Sequence, residues 1–271
     1  MLTAEEFLAE LQNIDGRPET MFVQQQQSEE NYPLHKHQKT QLVYVRKGVA
    51  YLITPSKTYF LPARHYVLIP PRLPHRVLFH SPQHLITGLC FAEARDADHP
   101  FFGKLGIYPV TGLLYELLRY TESWYGHYGA EQYEPYLFLL NLKLVLPRIS
   151  HHPLPLALPT TEDPRLVPVL RHIYEHLDEL LELGSLARHF GFSPRSLSRL
   201  FQECLSISFG QYLKLRRMLA AMELLLETHQ TVSEVAYAVG YNSLASFSNT
   251  FNKLVGQRPS EFGTREQEAA P

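Results

Sequence analysis

His35-Lys36-His37 is followed by Gln41, and a third imidazole, His75, closes the run Ile69-Pro70-Pro71-Arg72-Leu73-Pro74. On an extended strand, residues 35, 37 and 41 share one face, because side chains alternate with period two. Lys39 shares that parity, so a bend or bulge must intervene before the set forms a clean site. Three imidazoles are a good ligand set for Zn, Ni, Cu or Fe. The amide oxygen of Gln41 would be a weaker, neutral fourth ligand. A divalent ion held this way keeps its full positive charge, which suits anion or water binding better than redox turnover. Two other readings stay open: the histidines line a pocket and hydrogen-bond an organic effector, or they belong to a purely structural barrel.

A second chemistry lies near the C-terminus, where the chain says almost the same thing twice. Leu186-Ala187-Arg188-His189-Phe190-Gly191-Phe192-Ser193 precedes a helix that ends in Phe201, and Val235-Ala236-Tyr237-Ala238-Val239-Gly240-Tyr241-Asn242-Ser243 precedes one that ends in Phe251. Apolar helix, glycine, aromatic, polar cap and amphipathic helix is the pattern of a helix-turn-helix. Two copies in one chain could place two helices in successive major-groove segments. Gly191 and Gly240 supply the left-handed residue of each turn. Ser193-Pro194 and Ser243 start the second helices as N-caps, and Thr231 with Glu234 has capping-box spacing. Leu197, Leu200 and Phe201 form one buried stripe, and Phe247 and Phe251 the other. Arg195, Ser196, Ser198 and Arg199 are left to face DNA in the first unit, and Leu244, Ala245, Ser248 and Asn249 in the second. That second surface carries no charge, so its contacts would be apolar, for instance with thymine methyls, or short polar ones. Arg216-Arg217, on a long helix from about Phe209 to Glu227, either touches phosphate or lies on a solvated face.

The elements that must position these residues change character along the chain. Residues 1 to about 20 read as a short helix and a loop, and from Met21 to Phe91 the texture is β. Short runs rich in Val, Ile, Leu and Tyr then recur at Gln41–Arg46, Val49–Ile53, Thr58–Leu61, Tyr66–Ile69, Arg76–Phe79 and His84–Phe91, separated by turn signals such as Lys47-Gly48 and Ser81-Pro82. Many short strands at even spacing predict a sandwich or barrel. After Phe91 the period becomes helical. Leu113, Leu114, Leu117 and Leu118 mark one helix, and Tyr136, Leu139, Leu140, Leu142, Lys143 and Leu146 a second that should stop before Pro147. The wide apolar face of that second helix either packs on the barrel or forms a homodimer interface through Tyr136 to Leu146, and the interface is the reading adopted, because a small barrel has limited surface to cover so wide a face. Ser150 to Pro164 reads as a proline-rich, semi-extended linker carrying His151-His152. Asp163-Pro164 then reads as a helix start. Trp124 and Tyr125 fit either a core or a ligand wall.

The 271 residues fit two domains better than one. Lys and Arg number 25 against 27 Asp and Glu, so any DNA-binding charge must be local. Even between Arg165 and Arg265 the basic residues narrowly exceed the acidic, eleven to nine. Cys90 and Cys204 lack metal-type spacing and fit thiols in a reducing cytoplasm. No basic, apolar leader and no membrane-length apolar stretch is present, which predicts a cytoplasmic protein without membrane association.

The segment from about Leu183 to Phe262 resembles the DNA-binding domain of AraC-type transcription regulators. The residues that carry the likeness are Leu186-Ala187, Gly191-Phe192-Ser193-Pro194, Leu197-Ser198-Arg199-Leu200-Phe201, Leu224-Leu225, Val235 to Tyr241, Phe247-Ser248, Phe251 and Gly256-Gln257-Arg258-Pro259-Ser260-Glu261-Phe262. The resemblance implies a seven-helix, two-lobed domain. Arg195 and Ser198 would then face bases, and Arg199 would lie near phosphate. The chain departs from the family pattern at Asn249, where Arg is usual, and at Glu182, where a small polar cap is usual. The first lobe should therefore carry more of the sequence reading. The histidine segments resemble the two motifs of cupins, small barrels that often precede such domains. The cupin pattern assigns metal binding to His35, His37, position 41 and His75, but position 41 is Gln rather than Glu, and two pattern glycines are Arg64 and Arg72.

The expectation is an α+β two-domain chain. A cupin-like β-barrel with following helices, for sensing and dimerisation, spans 1–149. A linker spans 150–164, and an all-α domain with two helix-turn-helix units spans 165–265. Its function would be sequence-specific regulation of transcription, controlled by a small molecule or metal in the barrel. The expected partners are double-stranded DNA, a small-molecule effector, a second copy of the chain and, as a candidate, RNA polymerase. The cofactor would be a divalent transition metal or none. The rivals are a metal-cupin enzyme fused to a DNA-binding domain and a ligand-independent DNA binder. The first is disfavoured by Gln41 and by the lack of a Ser/His/Asp or Cys/His constellation.

Overall fold

A computed structural model describes residues 4–26, 33–79, 85–92, 96–151, 153–154 and 157–264. The chain divides into two compact units, Met1–Thr54 with Leu61–Leu154, and Pro55–Phe60 with Pro155–Pro271. In chain order the first half contains α1 (Ala4–Asp15), β1 (Met21–Gln26), β2 (Thr40–Lys47), β3 (Val49–Ile53), β4 (Lys57–Pro62), β5 (His65–Ile69), β6 (Arg76–Phe79), β7 (Leu85–Phe91), β8 (Gly106–Pro109), α2 (Gly112–Tyr120), β9 (Gly126–Tyr128) and α3 (Tyr133–Ile149). Then come β10 (Ala157–Pro159), α4 (Val167–Glu175), α5 (Leu183–His189), α6 (Pro194–Leu205), α7 (Phe209–Glu227), α8 (Val232–Ala238), α9 (Leu244–Val255) and α10 (Pro259–Thr264). The β-rich N-terminal domain and helical C-terminal domain are those expected from sequence.

In the first unit six strands pair in the order β8-β5-β2-β7-β1-β9, and β3 pairs with β6. Period-two alternation gives the larger sheet two different faces. Leu42, Tyr44, Tyr66, Leu68, Leu89 and Phe91 form one core with Leu114 and Leu118 of α2 and Leu139, Leu142 and Leu146 of α3. Each fully buried leucine contributes about 2 kcal/mol of transfer free energy. Gln41, Val43, Gly88 and Cys90 alternate with those residues and line a cavity on the opposite face. Trp124 packs against the helix-side core, while Tyr125 is exposed.

One helix runs longer than expected. α3 runs through Pro147 to Ile149 rather than stopping before it. The proline lies in the last turn, where its missing N–H removes a single intrahelical bond, and Ser150 N–H still closes on Leu146 O at 3.1 Å. α3 also uses Leu139, Leu142 and Leu146 on its own sheet, leaving Leu144 and Tyr133 exposed. Buried Lys143 pairs with Asp96 at 2.8 Å and donates to Ala92 O at 2.8 Å.

In the second unit, part of the expected linker is a strand: Ala157–Pro159 pairs with Lys57–Tyr59. His152 of the linker and the turn at Ser81-Pro82 lie outside the described residues. α4 begins regularly at Val167, a turn later than expected, although Asp163 Oδ1 accepts from Arg165 N–H at 2.9 Å as a cap would. Arg216 is neither phosphate-facing nor solvated. It is buried with its guanidinium 4.2 Å from the Tyr174 ring, and Arg217 donates to Glu179 O at 2.8 Å. Arg216 is structural because its face of α7 is covered, and Arg217 beside it is half-buried.

Candidate functional site

His35 and His75 form an isolated antiparallel bridge ahead of β2 and β6. The backbone then bends at Gln38 and Lys39 before β2 begins at Thr40. That bend answers the parity problem posed by Lys39. Its ammonium is taken away from the histidines and donates to Arg17 O at 2.7 Å and Thr20 O at 2.5 Å. The nitrogen atoms offered by His35, His37 and His75 all lie within 4.8 Å of one another. Each ring is held by the same device: Nδ1–H donates to a backbone carbonyl, Pro33 O at 2.9 Å, Lys39 O at 2.7 Å and Leu73 O at 2.8 Å respectively. This fixes the tautomer and leaves Nε2 as a lone pair.

Burial pushes all three rings toward the neutral form. For His75, burial and then the neighbouring His37 and His35 lower the pKa to about 3. His75 Nε2 is buried and has no hydrogen-bond partner. A lone pair so placed carries a desolvation cost that a metal ion would remove. His37 Nε2 lies 3.0 Å from Gln41 Oε1. Since neutral His37 has spent its proton on Lys39 O, the amide satisfies this contact when its NH₂ is turned inward; a half-turn presents the oxygen instead. The structure therefore brings together all four residues expected from sequence, and the three imidazoles fit a divalent transition metal. The two replaced glycines are also accounted for, since Arg64 and Arg72 hold φ at 59° and 66°, the left-handed region glycine favours.

His35, Gln41 and His75 line a cavity of about 600 Å³, open mouth included. Phe7, Leu11 and Ile14 of α1 line it too, and the Phe7 ring packs edge-on against His35 at 4.8 Å. Sequence reasoning missed these three residues and Cys90. Their i, i+4, i+7 stripe was the available signal.

The two helix-turn-helix units are built alike. Gly191 and Gly240 have φ of 74° and 79°. The following aromatic closes each turn, Phe192 N–H on Ala187 O at 2.8 Å and Tyr241 N–H on Ala236 O at 2.9 Å. Ser193 caps α6 through Ser196 N–H, and Ser243 caps α9 through Ser246 N–H. Thr231 and Glu234 make the reciprocal capping box, whereas Glu182 makes no side-chain cap. Leu197, Phe201, Phe247 and Phe251 are fully buried. Arg195, Ser196, Ser198 and Arg199 are exposed on α6. On α9, Leu244, Ala245 and Asn249 are exposed and Ser248 is half-buried. The exposed Arg199 guanidinium lies 3.4 Å from Glu203.

Residues 186–265 match a helix-turn-helix domain family, and residues 20–87 match the AraC-like ligand-binding domain family. The chain belongs to the AraC-type helix-turn-helix proteins. It is similar to the HTH-type transcriptional regulator GlxA of Rhizobium meliloti, 35% identical over 105 residues that make up 39% of this chain and 32% of GlxA. It is also similar to YfiF of Bacillus subtilis, described as an uncharacterized HTH-type transcriptional regulator, 27% identical over 248 residues, 86% of this chain and 79% of YfiF. Among solved structures it resembles the C-terminal domain of AraT, a response regulator from Geobacillus stearothermophilus, at 35% identity and a TM-score of 0.37, covering 38% of this chain and 86% of that one. The chain thus spans about a third of GlxA and about four-fifths of YfiF. In this AraC-type chain the imidazole cluster falls inside the stretch matching the ligand-binding domain, and both recognition helices fall inside the helix-turn-helix match. Among the described residues no helix is long and apolar enough to cross a membrane.

Proposed function

We propose that this chain is a cytoplasmic, sequence-specific regulator of transcription, controlled through its barrel. The observation that carries the reading is the doubled helix-turn-helix, with each second helix capped and exposed. The first lobe would read bases through Arg195 and Ser198 and hold phosphate through Arg199. Leu244, Ala245, Ser248 and Asn249 of the second would make apolar and short polar contacts. The homodimer through Tyr136 to Leu146 rests on the apolar face of α3, of which Leu144 stays exposed. RNA polymerase is a candidate partner. No catalytic role is proposed.

In the barrel, His35, His37 and His75 would hold a divalent transition metal, Zn, Ni, Cu or Fe, with Gln41 in reach as a neutral fourth group. A bound ion would supply positive charge and exchangeable ligand positions. A metal or ligand regulates only if it binds one arrangement of the protein better than another. Selection of duplexes from a random pool by the full chain, followed by footprinting, tests the DNA reading. The expected result is a motif with two boxes about one helical turn apart. Recovery of unrelated sequences would refute it.

A further inference from the structure

The imidazole cluster and the cavity share His35, Gln41 and His75, so a metal ion on the cluster would form part of the cavity wall. The rest of that wall is mostly apolar, from Phe7, Leu11 and Ile14 of α1 to Val43, Val77 and Ile86 of the strands. Its charge balance is unusual. The candidate ligands are three imidazoles and an amide, with no carboxylate among them. Among the described residues lining the cavity, the acidic one is Glu10, which accepts a hydrogen bond from Tyr125 Oη at 2.9 Å. With neutral ligands alone, a divalent cation here would keep its charge at the metal beside a largely apolar chamber, an arrangement that favours an anion entering with it. The anion must offer an oxygen donor to the metal and an apolar body to the cavity.

We propose that the cavity takes a small aliphatic monocarboxylate, its carboxylate completing the metal's ligand shell and its chain lying against Phe7, Leu11 and Val77. This rests on the metal reading above. Metal and carboxylate would then bind with positive, reciprocal coupling. Gln41 is the residue that sets the specificity. A glutamate there would neutralise part of the charge and leave the site without need of an outside anion.

The test uses the full chain, stripped with chelator, reloaded with Co(II) and titrated with acetate, butyrate and hexanoate while the visible cobalt bands are followed. Hexanoate should shift the bands and slow loss of cobalt to a competing chelator. Affinity should rise about fourfold per added methylene, the equivalent of ~0.8 kcal/mol. 1-Hexanol, equally apolar but neutral, should leave the bands unchanged. Gln41→Glu should retain cobalt and lose at least tenfold in hexanoate affinity. Cobalt uptake with bands indifferent to hexanoate would overturn this inference alone, as would equal hexanoate affinity with and without metal. Failure to take up cobalt, or Zn, Ni and Cu in parallel, would overturn the metal reading and this inference with it.

Discussion

His35 and His75, forty residues apart in sequence, exchange both backbone hydrogen bonds, His35 N–H to His75 O at 2.9 Å and His75 N–H to His35 O at 2.8 Å. That single bridge brings their rings to 4.5 Å between centroids. His75 Nε2 is thereby left buried and unpartnered. Protein purified without chelator should carry a near-stoichiometric transition metal, and His75→Ala should lower its content at least tenfold. Elemental mass spectrometry checks this. Equal metal in both proteins would place any ion elsewhere.

The two recognition helices predict different electrostatics. Arg195→Ala should weaken binding to the selected duplex by about 1–3 kcal/mol and relax discrimination at one base pair. Arg199→Ala should weaken all duplexes alike and reduce the salt slope by about 1. Asn249→Arg should steepen that slope by a similar amount. Anisotropy titrations at several salt concentrations separate the three.

The turn glycines also differ. A Cβ on Gly191 meets nothing within 4 Å, whereas one on Gly240 collides with Leu177 O and the Arg217 guanidinium. Gly191→Ala should cost about 1 kcal/mol, for the left-handed conformation alone. Gly240→Ala should cost clearly more, because the blocking atom is backbone. Urea unfolding of both variants gives the comparison, and equal costs would contradict it.

Lys143 and Asp96 form a buried pair, with Thr40 Oγ1 donating to Asp96 at 2.7 Å. Asp96→Ala leaves the ammonium without its counter-charge and should destabilise by about 3–5 kcal/mol. A second substitution, Lys143→Met, should recover most of that loss. Additive losses in the double-mutant cycle would show that the two do not act as a pair.

Glu223 of α7 has its carboxyl pushed up to about 7, first by burial and then by the neighbouring Glu227. The folded protein therefore keeps this proton where the unfolded chain has lost it. The associated stability is fully present below the ordinary carboxyl pKa and is lost as pH rises through about 7. Glu223→Gln should be more stable than the parent at pH 8, by on the order of 2 kcal/mol, and close to it at pH 4. Melts at the two values decide it, and a constant offset would exclude Glu223 as the source.

Local signals in the sequence survived folding best. Glycines at the turns, Ser193, Ser243 and the Thr231–Glu234 box sit where they were expected because a cap satisfies backbone groups within three residues of itself. The longer strands were legible from β-branched and aromatic runs. β1 falls where β texture begins, at Met21, but was not delimited as a strand, because Gln25 near its end is held by bonds that no periodicity encodes: it accepts from Thr87 Oγ1 and donates to Thr121 O. β8, β9 and β10 are three or four residues long and exist through their partners. Arg216-Arg217 read as either a phosphate contact or a solvated face because charge in sequence does not reveal which face of a helix is covered. The four ligand candidates were named through resemblance to a pattern; what brings them together is the bend at Gln38–Lys39 and the His35–His75 bridge. The closure of the cavity by α1 was hidden for the same reason, since an apolar stripe does not name its partner.

Sequence-specific DNA binding is tested most directly by the ratio of affinities of the full chain for its selected duplex and for a scrambled one, at physiological salt. The ratio should be roughly a thousandfold or more, and Arg195→Ala should reduce it. A ratio near one, or a high ratio indifferent to that substitution, would contradict it.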